Sequence, residues 1–334
     1  GQESHVEQLV LTWPDGLESV LNDIAADQVL TVARSSARPA EQRTPVVPLL
    51  VEDRPSAPAF RHEENGWNDF AIQVLIPHKR SEDGPLLCVA DVNSDGHDDM
   101  YVGGARRQSG ALFLGSASGK FIAAASRPWS EHADREDMGS QFFDADDDGD
   151  LDLLVMSGSN ETNQYEHQFQ PRLYLNDGQG RFTYRSDAFP ILMTSAMRCA
   201  VGDVDGDGDD DIFIGGRILP GQYPRSPRSY LLMNDGTGRF LDVTVERAPH
   251  LAETGMVTDA LFMDHDADGD LDLVTLGEWM PIALHRNDGG TFSPWSGTTG
   301  LEGSEGWWER MVASDLDKDG DLDLICGNLG WNSK

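Results

Sequence analysis

Five copies of one aspartate pattern, D-x-[DN]-x-D-G-x-x-D, recur along the chain and restrict its fold more than any other feature. They begin at Asp91, Asp144, Asp203, Asp264 and Asp315, so successive copies stand 53, 59, 61 and 51 residues apart. A repeat of that length is the mark of one supersecondary unit used several times. Each copy follows a short apolar run ("LLCVA", "GSQFF", "MRCAVG", "DALFM", "RMVAS") and precedes another that ends at glycine or close to it ("MYVGG", "LLVMSG", "IFIGG", "LVTLG", "LICGN"). Apolar runs of this length, rich in Val, Ile, Leu and Phe, predict buried strands.

A second landmark follows each of the first four loops. It reads "LYLNDGQGRF", "LLMNDGTGRF" and "ALHRNDGGTF", with a degenerate "LFLGSASGKF" in the first unit. Asn-Asp-Gly between alternating residues predicts a tight hairpin, because such a turn needs positive φ. Each unit therefore reads strand, aspartate loop, strand, connector, strand, turn, strand. The predicted fold is all-β: a β-propeller of four-stranded antiparallel blades, near 86–125, 140–186, 198–245, 260–295 and, incomplete, 311–334. Residues 1–34 predict a small separate β element, 35–58 a Pro- and Ser-rich linker, and 59–334 the propeller.

The spacing of the aspartates predicts calcium. That ion takes six to eight hard oxygen ligands in adaptable geometry. Side chains at positions 1, 3 and 5 are expected to converge, glycine at position 6 to allow the turn, position 7 to offer its carbonyl, and position 9 to add a carboxylate. The sets are Asp91, Asn93, Asp95, His97 and Asp99; Asp144, Asp146, Asp148, Asp150 and Asp152; Asp203, Asp205, Asp207, Asp209 and Asp211; Asp264, Asp266, Asp268, Asp270 and Asp272; and Asp315, Asp317, Asp319, Asp321 and Asp323. Up to five Ca2+ ions are expected. A helix-flanked EF-hand would need Glu at position 12, where this chain has Val102, Val155, Ile214, Thr275 and Cys326. With Asn93 in place of an aspartate, the first loop is expected to bind most weakly; five equal sites by titration calorimetry would contradict this.

Charge narrows the partners. Against 25 basic residues stand 58 acidic ones, a net charge of -33, and 26 of those acids lie within the five loops. Such a surface repels phosphate backbones and anionic lipid, so no nucleic-acid partner and no membrane insertion is expected. Cys88, Cys199 and Cys326 are predicted to be small buried core residues rather than a disulfide. The N-terminus carries no signal-like segment and reads as the middle of a domain, so a fragment is expected.

No H-E-x-x-H, G-x-S-x-G or phosphate-loop motif occurs; "GSASG" at 115–119 has alanine where a nucleophile would stand. A carboxylate pair such as Glu278 with Asp259 is the remaining route to catalysis. Recognition is the favoured reading. If the aspartate loops share one face, the long connectors share the other, and they hold Trp129, Tyr165, Arg217, Tyr223, Trp279, Trp307, Trp308 and Trp331. Aromatic and arginine side chains on a rigid scaffold suit a protein or glycan ligand. The competing role for each tryptophan is core packing, for Trp279 between blades.

The "DxDxDGxxDxxxxGG" units resemble FG-GAP/VCBS repeats, the blades of integrin-α-like propellers. "VEQLVLTWPDGLESVLNDIAADQVLTV" looks like the C-terminal half of an ASPIC/UnbV domain, and the combination is similar to large secreted bacterial members of the cartilage-acidic-protein-like family. The resemblance implies about seven blades, so either blades are missing or residues near 46–76 ("VVPLLVED", "FAIQVLIP") supply closing strands; truncation is the favoured reading. The expected function is an extracellular, cell-surface or periplasmic adhesion module with structural calcium. The alternative is an enzyme or biosynthetic accessory protein with its site opposite the calcium loops.

Overall fold

The computed structural model describes residues 5–13, 17–25, 30–39, 58–161 and 167–329. The chain divides into two compact units, residues 1–54 and 55–334. In the first, β1 (His5–Thr12) pairs antiparallel with β2 (Leu17–Ala25), and β3 (Arg38–Pro39) pairs with the start of β2. The Trp13 indole donates to Ser19 Oγ at 3.0 Å, and among the described residues only Ser19 is buried there.

The second unit is a row of antiparallel sheets. The first blade comprises β4 (Leu87–Ala90), β5 (Asp99–Val102), β6 (Ala111–Leu114) and β7 (Ile122–Ala123). The second comprises β8 (Glu136–Phe143), β9 (Asp152–Gly158), β10 (Arg172–Leu175) and β11 (Thr183–Arg185). The third comprises β12 (Ser195–Gly202), β13 (Asp211–Ile218), β14 (Tyr230–Asn234) and β15 (Phe240–Asp242). The fourth comprises β16 (Met256–Met263), β17 (Asp272–Met280), β18 (Ala283–Asp288) and β19 (Thr291–Pro294). The fifth shows β20 (Gly306–Ser314) and β21 (Asp323–Asn328), with β20 also pairing to the end of β17.

Strands form where the apolar runs stand because both faces of the second, third and fourth blades are covered, while the first and fifth leave Leu87, Val89, Val312 and Ile325 exposed. One apolar layer lies between each pair of consecutive blades. Leu154, Leu173, Ile212, Ile214 and Leu232 fill the layer between the second and third, and Phe213, Leu231, Val257 and Leu273 the next. First strands pack in sequence, β4 on β8, β8 on β12, β12 on β16 and β16 on β20, which makes them the inner strands. Each aspartate loop joins the first two strands of a blade, and each Asn-Asp-Gly turn joins its last two. In an up-and-down sheet these connections fall at the same end.

Residues 58–85 hold no strand, although "FAIQVLIP" alternates like one. The segment crosses the loop-opposite end as an irregular strap and leaves Ile72, Val74 and Leu75 exposed. The other stretch considered for blade closure, 46–57, lies outside the described residues, as does most of the 35–58 linker.

Candidate metal loops and the opposite face

In four loops the carboxylates at positions 1, 3 and 9 converge. Asp144, Asp146 and Asp152 each offer an oxygen within 4.8 Å of the others, as do Asp203, Asp205 and Asp211, Asp264, Asp266 and Asp272, and Asp315, Asp317 and Asp323. Position 5 stands outside these triplets. Asp148 and Asp207 instead accept the amides of Asp150 and Asp209, two residues on, at 3.0 Å. Asp268 and Asp319 do the same for Asp270 and Asp321 at 3.1 and 3.2 Å, and Asp95 for His97 at 2.9 Å. Position 1 ties the loop by accepting from the position-6 glycine, as Asp144 does from Gly149 at 2.9 Å. That glycine has φ +89°, which an ordinary side chain rarely adopts.

The donor sets fit a hard cation. Asp144 Oδ1, Asp146 Oδ1 and Asp205 Oδ1 are enclosed without a hydrogen-bond partner, an arrangement that costs free energy unless something supplies the missing charge. Burial pushes the Asp152 and Asp211 carboxyls up to about 7 despite two amide hydrogen bonds each, and the neighbouring loop carboxylates add to the rise. The first loop differs. Asn93 leaves it without an acidic triplet, and the amides of Gly96 and Asp95 outweigh the upward push of burial on Asp91, holding it below the usual carboxylate range.

Position 9 also works as a clamp. Asp152 accepts from Ala145 N–H at 3.0 Å and Asn176 N–H at 2.7 Å, joining the loop to the Asn-Asp-Gly turn of the same blade. Asp99, Asp211 and Asp272 repeat both contacts. The turn asparagine then reaches the preceding blade: Asn176 Nδ2 donates to Val92 O at 2.7 Å and to Leu151 O at 3.0 Å. Asn234 donates to Ala145 O and Asp210 O, and Asn287 to Val204 O and Leu271 O. These three asparagines latch blade to blade, a role beyond the turn read from sequence. The first unit has Gly115 at that place, so its turn offers no such side-chain latch.

The opposite end is organised around Trp279. Its backbone has φ +58°, where β17 bulges between Glu278 and Met280, and its side chain is 63% exposed. A bulky residue in that region is strained, and such strain concentrates at functional positions. The Trp279 indole donates to Tyr223 Oη at 2.6 Å, and its ring centroid lies 5.3 Å from that of Trp307. His78 packs edge-on to Trp307 at 5.0 Å, and the Arg80 guanidinium lies 5.5 Å from its ring. Beneath them, Glu278 accepts from Arg217 at 2.6 Å and from Arg80, while Asp83 faces both arginines at 3.4–3.5 Å. The strap is held by Asp69, fully buried, which accepts from Ser81 Oγ at 2.6 Å and Asn160 Nδ2 at 2.5 Å.

Against this geometry, a family model for the FG-GAP-like repeat matches residues 91–155, 156–214 and 264–326, more than half of the chain. The chain belongs to the FG-GAP-like repeat family. No curated protein sequence matches it. Among solved structures, an Agrocybe aegerita lectin specific for non-reducing terminal N-acetylglucosamine aligns with TM-score 0.47 at 19% identity, over 72% of this chain and 60% of that one. The V. cholerae biofilm matrix protein aligns with TM-score 0.33 at 17% identity, over 73% of this chain and 34% of that one. This FG-GAP chain thus spans less than two thirds of either relative.

Only part of the expected ligand face of this FG-GAP protein is free. Trp279, Tyr223 and Trp307 come together there. Trp129 does not: it is 1% exposed in the layer between the first two blades, edge-on to Tyr101 and Tyr174, with its indole donating to Gly110 O at 2.8 Å. Trp308 packs with the apolar layer between the fourth and fifth blades and donates to Ser304 O. Arg217 is buried in its pair with Glu278. Tyr165 and Trp331 lie outside the described residues. Glu278 and Asp259 are engaged separately, Asp259 by the amides of Ala260 and Met311. All three thiols are free, with Cys199 buried and Cys88 and Cys326 half-buried.

Proposed function

We propose that this protein is a calcium-stabilised recognition module that binds a glycan on the end of the propeller opposite the aspartate loops. The observation that carries the reading is Trp279: a large aromatic surface held exposed, in a strained conformation, with its only polar atom already satisfied by Tyr223. A flat aromatic face with its N–H engaged offers an apolar surface on which a sugar ring can lie. The aspartate loops support the module rather than contact its ligand. Asp144, Asp146 and Asp152, with their counterparts in the other loops, would hold the ions, and a bound divalent cation would neutralise the convergent carboxylates and fix the loop between its two strands.

An extracellular, cell-surface or periplasmic location suits calcium sites of modest affinity. No helix among the described residues is long and apolar enough to cross a membrane. A protein ligand is the second reading, favoured by the exposed Ile72, Val74 and Leu75 of the strap. The test is a glycan and surface-protein binding screen of the wild type and Trp279→Ala, in calcium and after chelation. Glycan binding lost in Trp279→Ala at unchanged melting temperature is the expected result. Binding that survives this substitution would sink the proposal.

A further inference from the structure

The strap touches every blade. Phe60 packs edge-on to Phe113 of the first blade at 6.5 Å, and Gln108 of that blade donates to Arg61 O at 2.7 Å. Asn65 donates to Glu161 of the second blade at 3.0 Å. In the amide orientation that satisfies both its ends, Gln73 accepts from Tyr223 N–H of the third blade at 2.8 Å. His78 and Arg80 reach Trp307 of the fifth blade, and Arg80 also donates to Glu278 of the fourth. Between Phe60 and Arg80 the chain thus crosses all five blades at the end that carries Trp279.

Several of these contacts fall on the groups that fix Trp279. Tyr223, which accepts from the Trp279 indole at 2.6 Å, has its backbone held by Gln73. Trp307, whose ring lies 5.3 Å from that of Trp279, is flanked by His78 and Arg80. Glu278, the preceding residue on β17, accepts from Arg80. All three supports of the exposed ring therefore lead back to the strap.

One buried group closes the strap on itself. Asp69 accepts only from neutral donors, Ser81 Oγ–H at 2.6 Å, Ser81 N–H at 3.4 Å and Asn160 Nδ2–H at 2.5 Å. Asn160 in turn accepts from Gly221 N–H at 3.3 Å, in the connector that carries Tyr223. Removing a donor leaves the enclosed carboxylate short of a partner while the strap is docked. In a released strap water would serve it, so the docked state alone loses stability.

We infer that the strap is part of the recognition site and that Asp69, Ser81 and Asn160 are positioning residues. Docked, the strap holds Trp279 in the orientation its ligand meets; released, it leaves the ring without fixed supports. The role rests on the glycan reading above for its ligand and on the strap contacts for its geometry. A ring already held in place spares the ligand the cost of ordering it. A ligand that binds only the docked state must stabilise that state in return.

Hydrogen exchange of the calcium-loaded protein reads the docking with no ligand present. Ser81→Ala removes a bond inside the strap. It should speed exchange of the Ile72 and Gln73 amides, which donate to Asp69 O, by roughly tenfold to a hundredfold, the range for a hydrogen bond to a charged group. The Tyr223 amide should quicken with them, because strap and connector open together. With 5-fluorotryptophan at all eight tryptophans, the resonance assigned through Trp279→Phe should move as well. Asn160→Ala should act in the same direction, and Asn176→Ala, at the repeating end, should change none of these signals. Faster exchange confined to the strap, with the Tyr223 amide and the Trp279 resonance unmoved, overturns the inference. So does an equal response to Asn176→Ala. A β-1,4-linked glucose hexamer, whose rings present flat C–H faces, is the ligand probe. At a hundred times its Kd it should slow strap exchange about a hundredfold. Binding that leaves the strap unprotected overturns the positioning role and leaves the glycan reading standing. Failure of the hexamer to bind, with strap and Trp279 still moving together, overturns the glycan reading and not the positioning of the ring.

Discussion

At one end of the blades, the same few contacts recur from loop to loop. A position-1 carboxylate accepts from the position-6 glycine, a position-9 carboxylate clamps the loop to the turn, and a turn asparagine crosses to the preceding blade. At the other end nothing repeats. A strap of irregular chain is pinned by Asp69, two arginines share Glu278 and Asp83, and one tryptophan sits at positive φ. The difference shows how the molecule divides its work. The repeating end holds charge in a form that a cation and backbone amides can satisfy, so it stabilises each blade in the same way. The irregular end breaks its own regularity at the position where an aromatic surface is presented.

Breaking the repeating end should have the largest effect. Chelation of calcium is expected to lower the melting temperature steeply, because a site saturated at a hundred times its Kd contributes about 2.7 kcal/mol and four acidic triplets are present. A melting curve unmoved by chelation would contradict calcium as the stabiliser. At the irregular end, Glu278→Ala leaves two buried guanidinium groups with Asp83 alone, at 3.4–3.5 Å. Loss of one partner from such a pair costs roughly 3–5 kcal/mol, measurable by denaturant unfolding; a cost below about 1 kcal/mol would place the network among surface pairs.

Between the ends, His285 Nε2 lies 3.0 Å from Thr275 Oγ1 and its Nδ1 lies 3.1 Å from His250. Burial, with the neighbouring His250, pushes His285 down to about 3. The folded pKa lies below the unfolded one, so this contribution is complete above about pH 6.5. It falls by roughly 1.4 kcal/mol per unit as the pH drops toward 3. Unfolding free energies of His285→Asn should show a flatter acid limb than the wild type, and a parallel limb would refute the assignment. A smaller effect is expected for the blade latch: Asn176→Ala leaves Val92 O and Leu151 O without this donor, at a cost of about 1–3 kcal/mol. Gly115→Asn, at the turn where no latch exists, should show no corresponding gain.

The loops could be read from sequence because their geometry is local: nine residues hold both the ligands and the turn. Position 9, expected to add a carboxylate, is the position that joins 1 and 3 in the acidic triplets. Position 9 lies past the turn on the next strand, and only the fold returns it to positions 1 and 3. Asn176 was legible as a turn residue but not as a latch, because its acceptor Val92 lies 84 positions away. Trp129 and Trp279 stand in similar connectors, yet one turns under Tyr101 and the other outward. Nothing in a window of sequence separates them. "FAIQVLIP" carries strand-like alternation, but it crosses the blades, so it has no neighbouring ladder to join.

We assign recognition to the irregular end of the propeller and stability to the repeating one. Trp279→Gly tests it most directly. Glycine adopts φ +58° without the strain a tryptophan bears, roughly 1–3 kcal/mol at such a position, and it removes the exposed ring. Titrating calcium-loaded Trp279→Gly with the oligosaccharide that the wild type binds should give an unchanged or raised melting temperature and no measurable binding. Wild-type affinity in that variant would contradict the claim.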